Sequence, residues 1–144
     1  MREIVQTRAF ETLAARLQQG ETPIVGTRAL VGKLTVGRLT PVLREGFLLG
    51  TGGIVAADLI AQHRKQFVVL TDLRLLFLTQ TFMGGAGDEI LGAVPRETVT
   101  LAEVKLGFVS LVRLAFGTGG DGVSLTFPRV DKANARALAD ALAT

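Results

Sequence analysis

From Phe67 to Thr79 the chain is apolar at nearly every position, interrupted only at Thr71-Asp72 and Arg74 before the closing threonine. The pattern predicts two short strands joined by a tight turn over Thr71–Arg74. Neither strand alternates, so both faces are expected to be covered. Asp72 suits the turn because its carboxylate can accept from nearby backbone N–H groups.

Downstream the period becomes two. Ile90–Val94 precedes Pro95, and Thr98–Lys105 sets Val99, Leu101 and Glu103 against Thr100, Ala102 and Val104. Phe108–Phe116 alternates again. Gly117–Gly122 reads as a turn, and Val123–Phe127 interleaves apolar with hydroxyl residues. Strands at this spacing, joined by glycine-rich turns, predict an antiparallel sheet closed into a barrel or sandwich. The last residues change to a helical period. Ala135, Leu138, Ala139 and Leu142 share one narrow face, with Asp131 as the expected N-cap and Val130 and Ala135 as a hydrophobic staple.

Upstream, Phe10, Leu13, Ala14 and Leu17 predict a helix over residues 8–19, stopped by Gly20 and Pro23. Pro23–Val31 is rich enough in β-branched residues for a strand. It runs into a direct duplication, Val31-Gly-Lys-Leu-Thr35 and Val36-Gly-Arg-Leu-Thr40, whose five-residue period matches neither strand nor helix. Ile54–Gln66 reads as a second helix ending in cations, and Thr81–Asp88 as a loop. The division expected is 1–66 for an N-terminal helix, first strand or strands and an apolar glycine-rich insertion, and 67–144 for the β core, together one domain.

Several of these segments resemble the bacterial pleckstrin-homology-like domains. Val69-Leu-Thr-Asp-Leu-Arg-Leu-Leu-Phe77 is similar to their strand–turn–strand signature, and Val94-Pro-Arg-Glu-Thr-Val99 to the segment that follows it. Leu125-Thr-Phe127 and the final helix match their last strand and capping helix. The resemblance runs from Phe67 to Leu142, about half the chain. About forty residues between Pro23 and the hairpin depart from it. It implies a mainly β (α+β) fold, a PH-like barrel or sandwich with a C-terminal capping helix, and a binding rather than catalytic role; a fold by itself assigns no ligand.

Composition narrows the chemistry. The 144 residues include no cysteine and one histidine, which removes thiolate catalysis and thiolate metal sites. That histidine, His63, sits beside Arg64 and Lys65, and neighbouring cations disfavour a metal or a proton there. Asp88-Glu89 is the only adjacent acid pair, and adjacent side chains diverge instead of converging on a substrate. Gly117–Gly122 precedes a strand, not a helix, so it cannot cradle phosphate at a helix N-terminus. No catalytic residue, cofactor or metal is assigned. A dinucleotide- or nucleotide-binding unit is the alternative: Gly50-Thr-Gly-Gly53 precedes a helical stretch and a strand, with Asp72 twenty residues beyond Gly52. It lacks the further strand–helix alternation that a parallel sheet needs.

Charge gives the remaining lean. The net charge is +3, and residues 1–66 carry nine bases against five acids. From Thr22 to Arg44 there is no acid. Arg28, Lys33, Arg38 and Arg44, with Arg64 and Lys65, therefore form a candidate surface for anionic lipid headgroups or another anion. Nucleic acid is not expected as a partner; the bases lack the interleaved aromatic residues that single strands would want. The apolar Phe47–Ile60 segment points to a homo-oligomer; Gly46–Ile60 falls short of the roughly 20 residues of a membrane span and contains Asp58. The expected partners are a protein, a peptide or an anionic lipid surface, and the expected location is cytoplasmic, with possible membrane association.

Overall fold

The computed structural model describes residues 1, 3–35, 60, 64–118 and 121–143. Helix α1 (Glu3–Leu13) ends in a 3-10 turn and leads into β1 (Pro23–Thr35). There follow β2 (Lys65–Thr71), β3 (Arg74–Gln80), β4 (Ala86–Pro95), β5 (Val99–Lys105), β6 (Ser110–Phe116), β7 (Asp121–Phe127) and helix α2 (Lys132–Ala143). The strands form one antiparallel sheet in the order β4-β3-β2-β1-β7-β6-β5. The mainly β architecture with a helix at each end is therefore as expected.

The long first strand joins two halves. Its residues 23–30 pair with β2, its residues 30–35 pair with β7, and Leu30 has a partner on each side, Lys65 and Thr126. Residues 23–35 thus belong to the same sheet as 65–127, and a boundary at residue 66 has no counterpart in the pairing. The halves face each other across one core, where the Phe77 and Phe116 rings meet edge to face at 6.3 Å between centroids.

Strand alternation explains why the central hairpin is apolar throughout. Val68, Leu70, Leu75 and Phe77 point into the core between the halves, with Val112, Leu114, Val123 and Leu125. Phe67, Val69, Leu76 and Leu78 point to the other face, where Ala9, Phe10 and Leu13 of α1 cover them. Ala135, Leu138 and Leu142 of α2 complete the inner core, and the helix packs on β1, β5 and β6.

Several boundaries differ from the sequence reading. α1 begins five residues earlier than residue 8 and ends at Leu13, with Ala14 exposed. Its buried stripe is Ala9 and Leu13, flanked by half-buried Phe10 and Leu17. Lys65 and Gln66 belong to β2 and not to a helix, because their backbones pair with Leu30 and Ala29. Asp88 lies inside β4 and not in a loop, and the first pentapeptide of the duplication lies in β1. β6 starts at Ser110, two residues after Phe108. In β5 a register shift between Leu101 and Glu103 breaks the alternation, so Val104 packs on the same core as Leu101. The second pentapeptide, Gly50–Gly53 and His63 lie outside the described residues.

At Gly122 the β6–β7 hairpin closes so tightly that a Cβ would lie 1.8 Å from the Leu114 carbonyl oxygen. Gly122→Ala is expected to lower stability by about 2–3 kcal/mol in urea unfolding, as overpacking against backbone does. An unchanged midpoint would contradict this packing.

Candidate functional site

On the outer face of the sheet, the register places Thr126, Leu30 and Lys65 side by side across β7, β1 and β2. Gln80, at the end of β3, continues the row. The β5–β6 loop and the β7–α2 connection rise beside it, and together they enclose a depression of about 510 Å³. Its lining is mostly apolar: Ala29, Leu30, Val109, Phe127 and Pro128 supply the hydrocarbon, with Arg28, Lys65, Gln80 and Asp131 among the polar residues. A concave apolar site with a few polar groups has the general character of a ligand site.

The rim carries apolar side chains in water. Thr81–Gly85 closes on itself: the Gly84 N–H donates to the Thr81 carbonyl at 2.9 Å, and the Thr81 N–H to the Gly85 carbonyl at 2.9 Å. Gly84 has φ +85° and lies against the Arg28 guanidinium, where a Cβ would fall 2.8 Å from Nη1. This turn leaves Phe82 fully exposed and Met83 82% exposed. In the β5–β6 loop Phe108 is 75% exposed, and Arg129 stands over its ring at 5.4 Å from the centroid. Val109 and Val130 are exposed as well. Val109 lines the depression, and the other four exposed apolar residues flank its lining residues Gln80, Val109 and Asp131 along the chain.

Among the six basic residues read from the sequence, Arg28 and Lys65 line the depression and Arg64 is exposed next to Lys65. Lys33 lies further along β1, opposite Val123, on the strand face that carries Val31; it does not reach the depression. Arg38 and Arg44 lie outside the described residues. Arg28 has its charge engaged: its Nε donates to Oδ2 of the fully buried Asp131 at 2.8 Å. The Met1 ammonium donates to Oδ1 of the same carboxylate at 2.6 Å. Asp131 therefore ties the β7–α2 connection to β1, the role the structure gives it in place of the expected N-cap, and Val130 is too exposed to act as a staple.

Phe82, Met83, Phe108, Val109 and Arg129 were not among the residues singled out by sequence. For Phe82 and Met83 the signal is an apolar pair at the tip of a glycine-rich turn, Thr81-Phe-Met-Gly-Gly85, which a folding core would not place there. The apolar Phe47–Leu59 stretch lies outside the described residues. Ile60 is fully buried in the inner core, where its carbonyl accepts from the Gln66 amide. Among the described residues, no group of three or more His, Cys, Asp or Glu is placed to hold a metal, and no helix is long and apolar enough to cross a membrane.

The opposite end of the hairpin holds a buried polar cluster. Thr71 Oγ1 accepts from the Leu73 and Arg74 N–H groups at 3.1 and 3.0 Å, taking the local role expected of Asp72. Asp72 reaches fifty residues back instead, accepting from the Thr22 N–H at 2.8 Å. The strand before it has antiparallel neighbours on both sides, unlike a dinucleotide-binding unit. Glu21 is buried and accepts from Arg74 Nε at 2.9 Å and from Thr71 Oγ1 at 2.6 Å. Burial pushes its pKa up, but hydrogen bonds from Arg74, Thr71 and the Gln18 N–H, with the Arg74 charge, overcome this and hold it below 4.5. On β5, Glu103 is also held low, first by Lys105 and then by Arg113.

No protein-family model matches this chain, and no curated protein matches it at a significant level. The site's meaning rests on its own geometry.

A carboxylate lowered by folding adds stability above its unfolded pKa and loses it as pH falls through the folded value. Stability is expected to decline as pH drops below 4.5, the ordinary value for Glu21. Glu21→Gln is expected to cost about 1–2 kcal/mol at neutral pH and to flatten that acid decline. Urea unfolding across the acid range checks this; equal acid sensitivity in both proteins would contradict it.

Proposed function

We propose that this chain is a non-enzymatic, PH-like interaction module that docks on an anionic membrane surface through the end of the sheet carrying the depression. The observation that carries the reading is that exposed Phe82, Met83, Phe108, Arg64 and Arg129 all flank, within a few residues along the chain, positions that line one concavity, with exposed Lys65 in the lining itself. Apolar side chains at loop tips gain by entering the interface between headgroups and acyl chains, while flanking cations gain from anionic headgroups. Neither gain requires a spanning segment. The single sheet with a C-terminal helix against its core supports the PH-like part of the reading.

A protein partner would use the same apolar residues, but the flanking exposed cations favour a negatively charged surface. The Phe108–Arg129 contact supports this as well, because a guanidinium over an aromatic ring stays charged while shielding the ring from water.

The protein is expected to sediment with vesicles containing phosphatidylserine and not with purely zwitterionic ones. Raising salt from about 0.1 M to about 1 M shortens the screening length from roughly 10 Å to roughly 3 Å and should release most of it. Arg64→Ala with Lys65→Ala should weaken binding roughly thirtyfold, at about 1 kcal/mol per cation. Phe82→Ser with Met83→Ser should weaken it at every salt concentration. Absence of binding to anionic vesicles at low salt would refute the reading.

A further inference from the structure

The depression does more than shape the rim. We propose that it holds a single alkyl chain carrying an anionic head, with the chain against Leu30, Val109, Phe127 and Pro128 and the head paired with Lys65. The inference deepens the docking reading by naming what enters the site, but the cavity can be tested without a membrane.

Most polar side chains of the lining are already engaged, Thr126 adding one hydroxyl. In the lining, Arg28 and Asp131 are paired with each other. The Gln80 side-chain amide donates to the Gln66 carbonyl at 3.0 Å. Lys65 is then the charged lining residue with no ion-pair partner among the described residues, and it is exposed at the edge of the depression. A sugar or nucleotide would bring many polar groups into walls that cannot replace their hydration, at a cost for each. A hydrocarbon chain has no such groups to satisfy, and one anionic head meets the one unpaired ammonium. The volume of about 510 Å³ lies within the roughly 300–1,000 Å³ usual for small-molecule sites.

The chain could come from a bilayer lipid or from a free fatty carboxylate, and a soluble probe separates the two. Calorimetric titration of the whole protein with hexanoate, octanoate and decanoate below their micelle concentrations should show one saturable site. Affinity should rise about two- to fourfold per added methylene, since a fully buried methylene contributes about 0.8 kcal/mol. Lys65→Ala should weaken decanoate roughly fivefold, as expected for a partly exposed ion pair, and decyltrimethylammonium should bind more weakly than decanoate. Thr126→Trp, which fills the depression, should abolish binding. Val109→Glu, on an exposed loop position that folding tolerates, should weaken it through repulsion. Phe82→Ser should leave decanoate binding intact while reducing vesicle docking. Decanoate binding without vesicle docking would remove the membrane reading and leave a carrier site for a free carboxylate. No saturable binding, no dependence on chain length, or binding unchanged in both Thr126→Trp and Val109→Glu would overturn the proposal.

Discussion

One strand has to serve two halves of a sheet, and most of the structure follows from how β1 does so. Residues 23–30 run along β2, with Ile24 bulged out of the register, and residues 30–35 along β7, so that Leu30 is shared. Because backbone N–H and C=O groups must find partners, the strand leaves one neighbour only as it gains the other. The two halves on either side of that point close on a common core containing Phe77 and Phe116. The shared register at Leu30 sets Thr126, Leu30 and Lys65 in one outward row.

The helices fix which surfaces remain for function. α2 fills the inner core, and α1 covers the outer faces of β2 and β3 through Ala9, Phe10 and Leu13. The covered patch comprises Phe67, Val69, Leu76 and Leu78; the row at Leu30 and Lys65 lies beyond it. The Asp131 carboxylate then holds the β7–α2 connection against Arg28 of β1. Loops from three connections are thereby brought around one depression. At the other end, the Glu21–Arg74–Thr71 cluster anchors the segment before β1 to the hairpin turn. One end of the hairpin is locked by buried charge, and the other is left with apolar tips and unburied cations.

The central hairpin was legible because a doubly covered strand pair has no polar positions to confuse with anything else. The α2 stripe was equally legible, since Ala135, Leu138, Ala139 and Leu142 are the four buried residues of that helix. The start of α1 was not, because Glu3–Thr7 covers the sheet with half-buried Val5 and Gln6 and has no continuous apolar stripe. Local spacing gives Asp72 and Asp131 turn and cap roles, but both carboxylates engage distant segments, which local spacing cannot reveal. The site was legible only in part. Arg28, Arg64 and Lys65 stand out by charge, yet whether they meet depends on register, and Arg28 is engaged by a residue 103 positions away. Gln80 and Val109, close along the chain to Phe82 and Phe108, reach the same depression only through the sheet order.

The proposed binding end of the sheet is the one around Leu30, where β1 passes from β2 to β7. Amide chemical-shift mapping during titration with anionic lipid assemblies tests it most directly. Perturbed residues are expected to cluster at 28–30, 64–65, 80–85, 106–110 and 126–131, with the Glu21–Arg74 end unchanged. Perturbations centred on Leu73, Pro95 and Glu97, or spread along the outer surface of α1, would contradict it.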